Sequence, residues 1–61
     1  MIDTSIELIE MILLEASKYN LRNELIKRVE LNLMGIDEPS YEFICELYQR
    51  QFKQLINKYE S

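Results

Sequence analysis

Gly35 and Pro39 are the only glycine and the only proline in this chain of 61 residues, and they lie close together. These two residue types are the strongest local interruptions of regular structure. The rest of the chain shows no sustained alternation of apolar and polar residues, which is the pattern of a half-buried strand. The chain is therefore predicted to be all-α, with a break around residues 35–39.

The first helix is predicted over about residues 4–18. Asp3, Thr4 and Ser5 all offer side chains that cap a helix N-terminus, and Thr4 has the capping-box spacing with Glu7. Apolar residues recur at helical spacing along one face, namely Ile6, Ile9, Leu13 and Ala16. Four further apolar residues fall outside this face, namely Leu8, Met11, Ile12 and Leu14. A helix that is apolar on so many sides is expected to bury more than one of them.

The second helix is predicted over about residues 21–34, after a tight turn at residues 19–21. Asn20 tolerates the left-handed conformation that ends a helix, and it is also a good capping residue for the next one. Gly35 is the expected left-handed residue after helix two, in a Schellman-type ending that brings Ile36 to Leu31.

The third helix is predicted over about residues 38–58, with Asp37 or Glu38 as its cap and Pro39 in its first turn. About 20 residues span about 30 Å, whereas the two earlier helices span about 21 Å each. The prediction is a three-helix bundle, a single domain over residues 1–61 in which a helical hairpin packs on a longer third helix. The hairpin leaves the far end of helix three free for a second copy or a partner, unless helix three tilts under helix one.

A domain this small has a marginal core, which is often completed by self-association. We therefore predict a homodimer. The apolar residues predicted to serve self-association or partner binding are Leu8, Met11, Ile12, Phe52, Leu55, Ile56 and Tyr59.

The chain is acidic, with eleven acidic and seven basic residues and a net charge of −4. Such a surface repels phosphate backbones and anionic lipid, and it favours basic partners. The predicted acidic face comprises Asp37, Glu38, Glu42 and Glu46, for which a solvated face is the alternative interpretation. No segment has the roughly 18 apolar residues of a membrane span, so we expect no membrane association and a cytoplasmic location.

Catalytic chemistry has few candidate residues here. The chain has no histidine and one cysteine, Cys45, which has no basic residue at helical spacing to activate its thiol. One thiol without histidine does not make a zinc site. The prediction is a protein that is not an enzyme and holds no metal or cofactor, with Cys45 as a buried structural thiol.

Residues 14–26, LEASKYNLRNELI, resemble the helical hairpin of Sda-like inhibitors. Ser40-Tyr41, Ile44, Leu47-Tyr48 and Arg50 resemble the last helix of AbbA-like antirepressors. The first resemblance implies binding to the dimerisation helices of a histidine kinase. The second implies a dimer that occupies the DNA-binding face of a repressor, in the manner of DNA mimicry.

The function predicted is that of a protein-binding regulator, an inhibitor or antirepressor, for which acidic DNA mimicry is one mode of action. One alternative is a structural or assembly subunit of a phage or bacterial complex. Another is a minimal helix-turn-helix module formed by helices two and three. In that module the start of helix three would approach DNA, and Glu38, Glu42 and Glu46 oppose such contact.

Overall fold

The computed structural model describes residues 4–60, which form three helices. They are α1 (Thr4–Lys18), α2 (Arg22–Leu33) and α3 (Tyr41–Glu60). α3 packs against both other helices, and each of these contacts is more extensive than the contact between α1 and α2. No strand occurs within residues 4–60. The predicted all-α three-helix bundle is confirmed, whereas the homodimer stays a prediction.

α1 ends in a Schellman motif centred on Asn20, which has a positive φ of 59°. The N–H of Leu21 donates to the carbonyl of Ala16 at 2.9 Å, and the N–H of Asn20 donates to that of Ser17 at 3.1 Å. This pair of bonds satisfies carbonyls that the helix end leaves free. The left-handed Asn20 is as predicted, but its predicted role as the cap of α2 is wrong. Leu21 occupies that position, without a side-chain hydrogen bond.

α2 ends in a type II turn rather than in the predicted Schellman motif. Met34 has φ −61° and ψ 129°, and Gly35 has φ 84°. These are the angles of the two central residues of a type II turn, in which the second central residue needs a positive φ. The N–H of Ile36 accordingly donates to the carbonyl of Leu33 at 3.0 Å. Gly35 thus has the predicted backbone conformation in a different turn.

α3 begins at Tyr41, three residues later than predicted, because Ser40 is the residue that caps it. The Phe43 N–H donates to the Ser40 hydroxyl oxygen at 3.1 Å, and the Ile44 N–H donates to the Ser40 carbonyl at 3.0 Å. Glu38 has a positive φ of 48°, which is not helical. The prediction that Asp37 or Glu38 caps the helix is therefore wrong, and Pro39 precedes α3 instead of lying in its first turn.

Replacing Ser40 with alanine is expected to lower the free energy of unfolding by about 1 kcal/mol, because the Phe43 N–H loses its acceptor. Urea denaturation followed by circular dichroism measures the change. Ser17→Ala is the matched control, because Ser17 is an exposed serine within α1. Equal stabilities of the two variants would contradict the capping role of Ser40.

The core is formed by side chains from all three helices. Its buried residues are Ala16, Leu25, Val29, Leu47 and Leu55. Partly buried side chains surround them, namely Ile12, Leu13, Leu21, Leu33, Tyr48 and Phe52. Cys45 is buried as well, and its sulfur accepts a hydrogen bond from the Gln49 side chain at 3.3 Å. Within residues 4–60, no buried side-chain nitrogen or oxygen lacks a hydrogen-bond partner.

The last turns of α3 pack at the α1–α2 turn. The rings of Tyr19 and Tyr59 meet edge to face, with their centroids 5.5 Å apart. Leu55 and Tyr59 share a shallow groove with Leu21 and Glu24 of the hairpin. α2 runs away from this end and α3 returns to it, so the connection at residues 34–40 lies at the opposite end of the bundle.

This packing corrects the prediction that the far end of α3 is left uncovered. From Tyr59 back to Tyr41 the helix rises about 27 Å, and from Tyr19 back to Thr4 α1 rises about 22 Å. Because the C-terminal ends of α1 and α3 are aligned, the surplus length falls at the start of α3. Tyr41 and Phe43 are indeed exposed there.

Candidate protein-binding surface

The connection between α2 and α3 exposes an unusual number of large apolar side chains. Met34 is 74% exposed, Leu31 61% and Tyr41 55%. Ile36 and Phe43, in the same stretch, are exposed too. Monomeric proteins expose single apolar side chains routinely, whereas a contiguous group marks an interaction surface. Five such residues within one short stretch of chain make this end of the bundle the principal candidate.

Acidic side chains accompany these apolar ones. Asp37, Glu38, Glu42 and Glu46 are all exposed, as the predicted acidic face requires. The ion pairs Lys18–Glu15 (3.3 Å) and Arg28–Glu24 (3.7 Å) use carboxylates from other parts of the chain. Within residues 4–60, none of the four predicted carboxylates forms an ion pair. We refer to residues 30–46, which contain both groups and Glu30, as the acidic segment.

The local fold explains how these groups come together. The type II turn at Gly35 and the Ser40 cap lie on either side of Ile36, Asp37 and Glu38 and hold them in a short non-helical connection. Glu42 and Glu46 then follow on α3 at a spacing of four residues, which places them on the same face one turn apart. Cys45 and Leu47 face the core, so the two carboxylates point to solvent.

The outer face of α1 forms a second exposed apolar surface. Met11 and Leu14 are each 65% exposed, and Leu8 is exposed beside them. The three residues follow at three-residue spacing and are therefore neighbours on the helix surface. Ile12, which was predicted to belong to the same surface, packs against the core instead. Ile12 is only partly buried, and its role in association stays a prediction.

The predicted surface at the end of α3 is largely internal. Leu55 is only 3% exposed and Phe52 packs against the core, so both stabilise the single chain. Ile56 is half-buried, and Tyr59 is exposed although its ring contacts Tyr19. The assignment of Leu55 to an intermolecular surface is corrected, because the hairpin already covers it, whereas the partly buried Phe52 stays a prediction.

Sequence reasoning did not assign the exposed apolar residues of the acidic segment to a surface. Leu31 and Met34 lie away from the apolar face of α2, and this position could have been used to predict that they are exposed. Ile36 was expected to pack onto Leu31 in a Schellman motif that does not form. Tyr41 belongs to the apolar face of α3 by its spacing, so the sequence suggests that it is buried. It is exposed because it lies in the first turn of α3, which extends beyond the other helices.

Within residues 4–60, no group of three or more histidine, cysteine, aspartate or glutamate side chains could hold a metal ion. Burial raises the pKa of the Tyr48 hydroxyl above its usual value, the Glu30 carboxylate raises it further, and the Arg22 guanidinium lowers it in part. Over the same residues, no helix is both long and apolar enough to cross a membrane.

Comparison with known proteins adds no further assignment. No protein-family model matches the chain, and no match was found to a curated protein or a solved structure.

Proposed function

We propose that this chain is a non-catalytic regulator that binds a basic surface of another protein and blocks it. The observation that carries the proposal is the acidic segment, in which exposed carboxylates without ion pairs lie among exposed Met34, Tyr41 and Phe43. Methionine and aromatic residues are enriched in protein interfaces. A binding surface of this composition combines an apolar centre with charges that select a basic partner.

The DNA-binding face of a regulator is the basic surface that we favour. Glu42 and Glu46 are separated by about 6 Å along the axis of α3. This is close to twice the 3.4 Å rise between phosphates along one DNA strand. The two carboxylates could therefore contact the positions on a DNA-binding face that normally contact every second phosphate of a strand. By occupying that face, the protein would act as an inhibitor or antirepressor.

Direct DNA binding is less well supported. A helix-turn-helix module joins its helices by a turn of about three or four residues. Here residues 34–40 separate α2 from α3, and the exposed carboxylates at the start of α3 would face the phosphates. The acidic segment suits a protein that competes with DNA better than one that binds it.

A second candidate function is that of a structural or assembly subunit. The exposed Met11 and Leu14 of α1 favour it, because they form an apolar surface on a different element from the acidic segment. In that role α1 would dock within a larger complex. Changes confined to Met11 and Leu14 would then abolish docking, whereas the acidic segment would be dispensable.

The regulator proposal is tested by affinity capture from extracts of the native cells, with competition by duplex DNA. We expect the wild-type chain to retain a basic DNA-binding protein, and both duplex DNA and added salt to release it. Glu42→Lys combined with Glu46→Lys is expected to weaken retention at least about tenfold, because both changes place like charges against the partner.

Glu15→Lys combined with Glu60→Lys is the matched control. It makes the same change in net charge at exposed positions outside the acidic segment. If both double variants lose retention equally, the loss is caused by the change in net charge, and the proposed site is contradicted. Retention that neither duplex DNA nor charge reversal affects would exclude mimicry. Capture of a histidine kinase through residues 14–26 would replace the proposed partner.

A further inference from the structure

The charges of this chain are separated along the bundle. All seven basic residues lie within residues 18–28 and 50–58, and nine of the eleven acidic residues lie within residues 3–15 and 30–46, which contain no basic residue. Residues 18–28 include the α1–α2 turn, and residues 50–58 lead to the contact between Tyr59 and Tyr19. Residues 15–28 and 50–60 thus combine all seven basic residues with only three acidic ones, Glu15, Glu24 and Glu60, and have a net positive charge. We call this end of the bundle the turn end. The acidic segment forms the opposite end.

Helix dipoles explain only part of this separation. Acidic residues favour the start of a helix and basic residues its end, and α1 and α3 follow this rule with Glu7, Lys18, Glu42 and Lys58. α2 runs in the opposite direction and follows the rule only in part. Its first turn contains Glu24 as well as Arg22, and its last turn has no basic residue. The direction of each helix therefore does not account for the whole distribution of charge.

Both ends also expose apolar side chains among their charges. Met34 and Tyr41 are exposed in the acidic segment, and Tyr59 is 60% exposed at the turn end beside Lys58. Apolar contact surrounded by opposite charges is the usual composition of a specific interface. The two ends of one chain are therefore complementary to each other in charge, and each offers an apolar centre.

We infer that copies of this chain associate head to tail, with the acidic segment of one copy docked against the turn end of the next. Such a contact is heterologous, because it joins two different surfaces of the same protein. It differs from a two-fold dimer formed through α1, in which the same surface meets itself. The inference does not depend on the proposed function, since it needs no other protein.

This association should depend strongly on salt. Charges interact over about 30 Å at roughly 0.01 M salt and over only about 3 Å at roughly 1 M. The charged side chains concerned are exposed, so each pair contributes little and their joint effect is readily screened. We expect assemblies larger than one chain at low salt and single chains at high salt.

Sedimentation velocity of the full chain at the two salt concentrations tests the inference. One variant combines Glu42→Lys with Glu46→Lys, which makes the acidic segment more basic. A second combines Lys18→Glu with Lys58→Glu, which removes the net positive charge of the turn end. Each variant alone is expected to lose the low-salt assemblies. An equimolar mixture is expected to form pairs again, because the unchanged turn end of the first variant can dock against the unchanged acidic segment of the second.

Met11→Ser combined with Leu14→Ser is the control, and it should keep the low-salt assemblies. Circular dichroism establishes that each variant is helical. If the variant with lysine at positions 42 and 46 does not fold, Glu42→Gln combined with Glu46→Gln takes its place. Loss of the low-salt assemblies in this glutamine variant then supports the inference. Three results would overturn the inference. The wild-type chain could stay single at low salt, the charge variants could still assemble, or assembly could be lost only in the Met11 and Leu14 variant.

Discussion

Replacing Leu55 with glutamate is expected to unfold the chain rather than to separate two copies of it. Leu55 is 3% exposed and lies in the core with Leu25 and Val29. A buried charge without a partner costs several kcal/mol. A domain of this length has a total stability of only about 3–9 kcal/mol, at roughly 0.05–0.15 kcal/mol per residue. Far-ultraviolet circular dichroism and urea denaturation measure the loss.

Tyr59→Glu is the control for this result. It introduces the same side chain one helical turn later, at a position that is 60% exposed. The ring contact with Tyr19 is lost, which we expect to cost about 0.5–1.5 kcal/mol, well below the loss expected for Leu55→Glu. A Leu55→Glu variant that keeps cooperative unfolding and differs from wild type only in association state would restore Leu55 to an intermolecular surface.

The turns show what the sequence could and could not predict. Asn20 and Gly35 were identified because few residue types adopt a positive φ, and both have one. The start of α3 was misplaced because Asp37, Glu38, Pro39 and Ser40 are all compatible with a helix N-terminus. Only the three-dimensional position of the Ser40 hydroxyl, against the Phe43 N–H, decides among them.

The candidate surface was harder to predict than the fold. α1 is apolar on several sides, and periodicity does not tell which side its neighbours cover. The structure buries Ala16 and exposes Met11 and Leu14. Helix lengths indicated correctly that α3 has surplus length, but they did not indicate which end is surplus. The contact of Tyr59 with Tyr19 decides this, and it links residues far apart in the chain.

The two proposals make opposite demands on the acidic segment. A copy docked head to tail would cover Met34 and Tyr41, the same side chains that the proposed partner would contact. Self-association would therefore compete with partner binding, and each should weaken as the other strengthens. High salt weakens both, but duplex DNA competes only for the basic partner. The two contacts are thus experimentally separable.

The second large effect is expected from Leu25→Ala, which should lower the free energy of unfolding by about 2–5 kcal/mol. Leu25 is fully buried in the middle of the core, and truncation leaves a cavity between α2 and its neighbours. Alanine is the best helix former, so a loss of helix propensity does not contribute. Against a total of about 3–9 kcal/mol, the variant should be partly unfolded at ordinary temperature.

Leu31→Ala makes the identical chemical change six residues later in the same helix. Leu31 is 61% exposed, so its truncation removes few contacts and should change stability by no more than about 0.5 kcal/mol. Urea denaturation of the two variants side by side therefore isolates burial as the cause. A similar loss in both would mean that another molecule already covers Leu31 in solution, and the same measurement over a range of protein concentrations would reveal that contact.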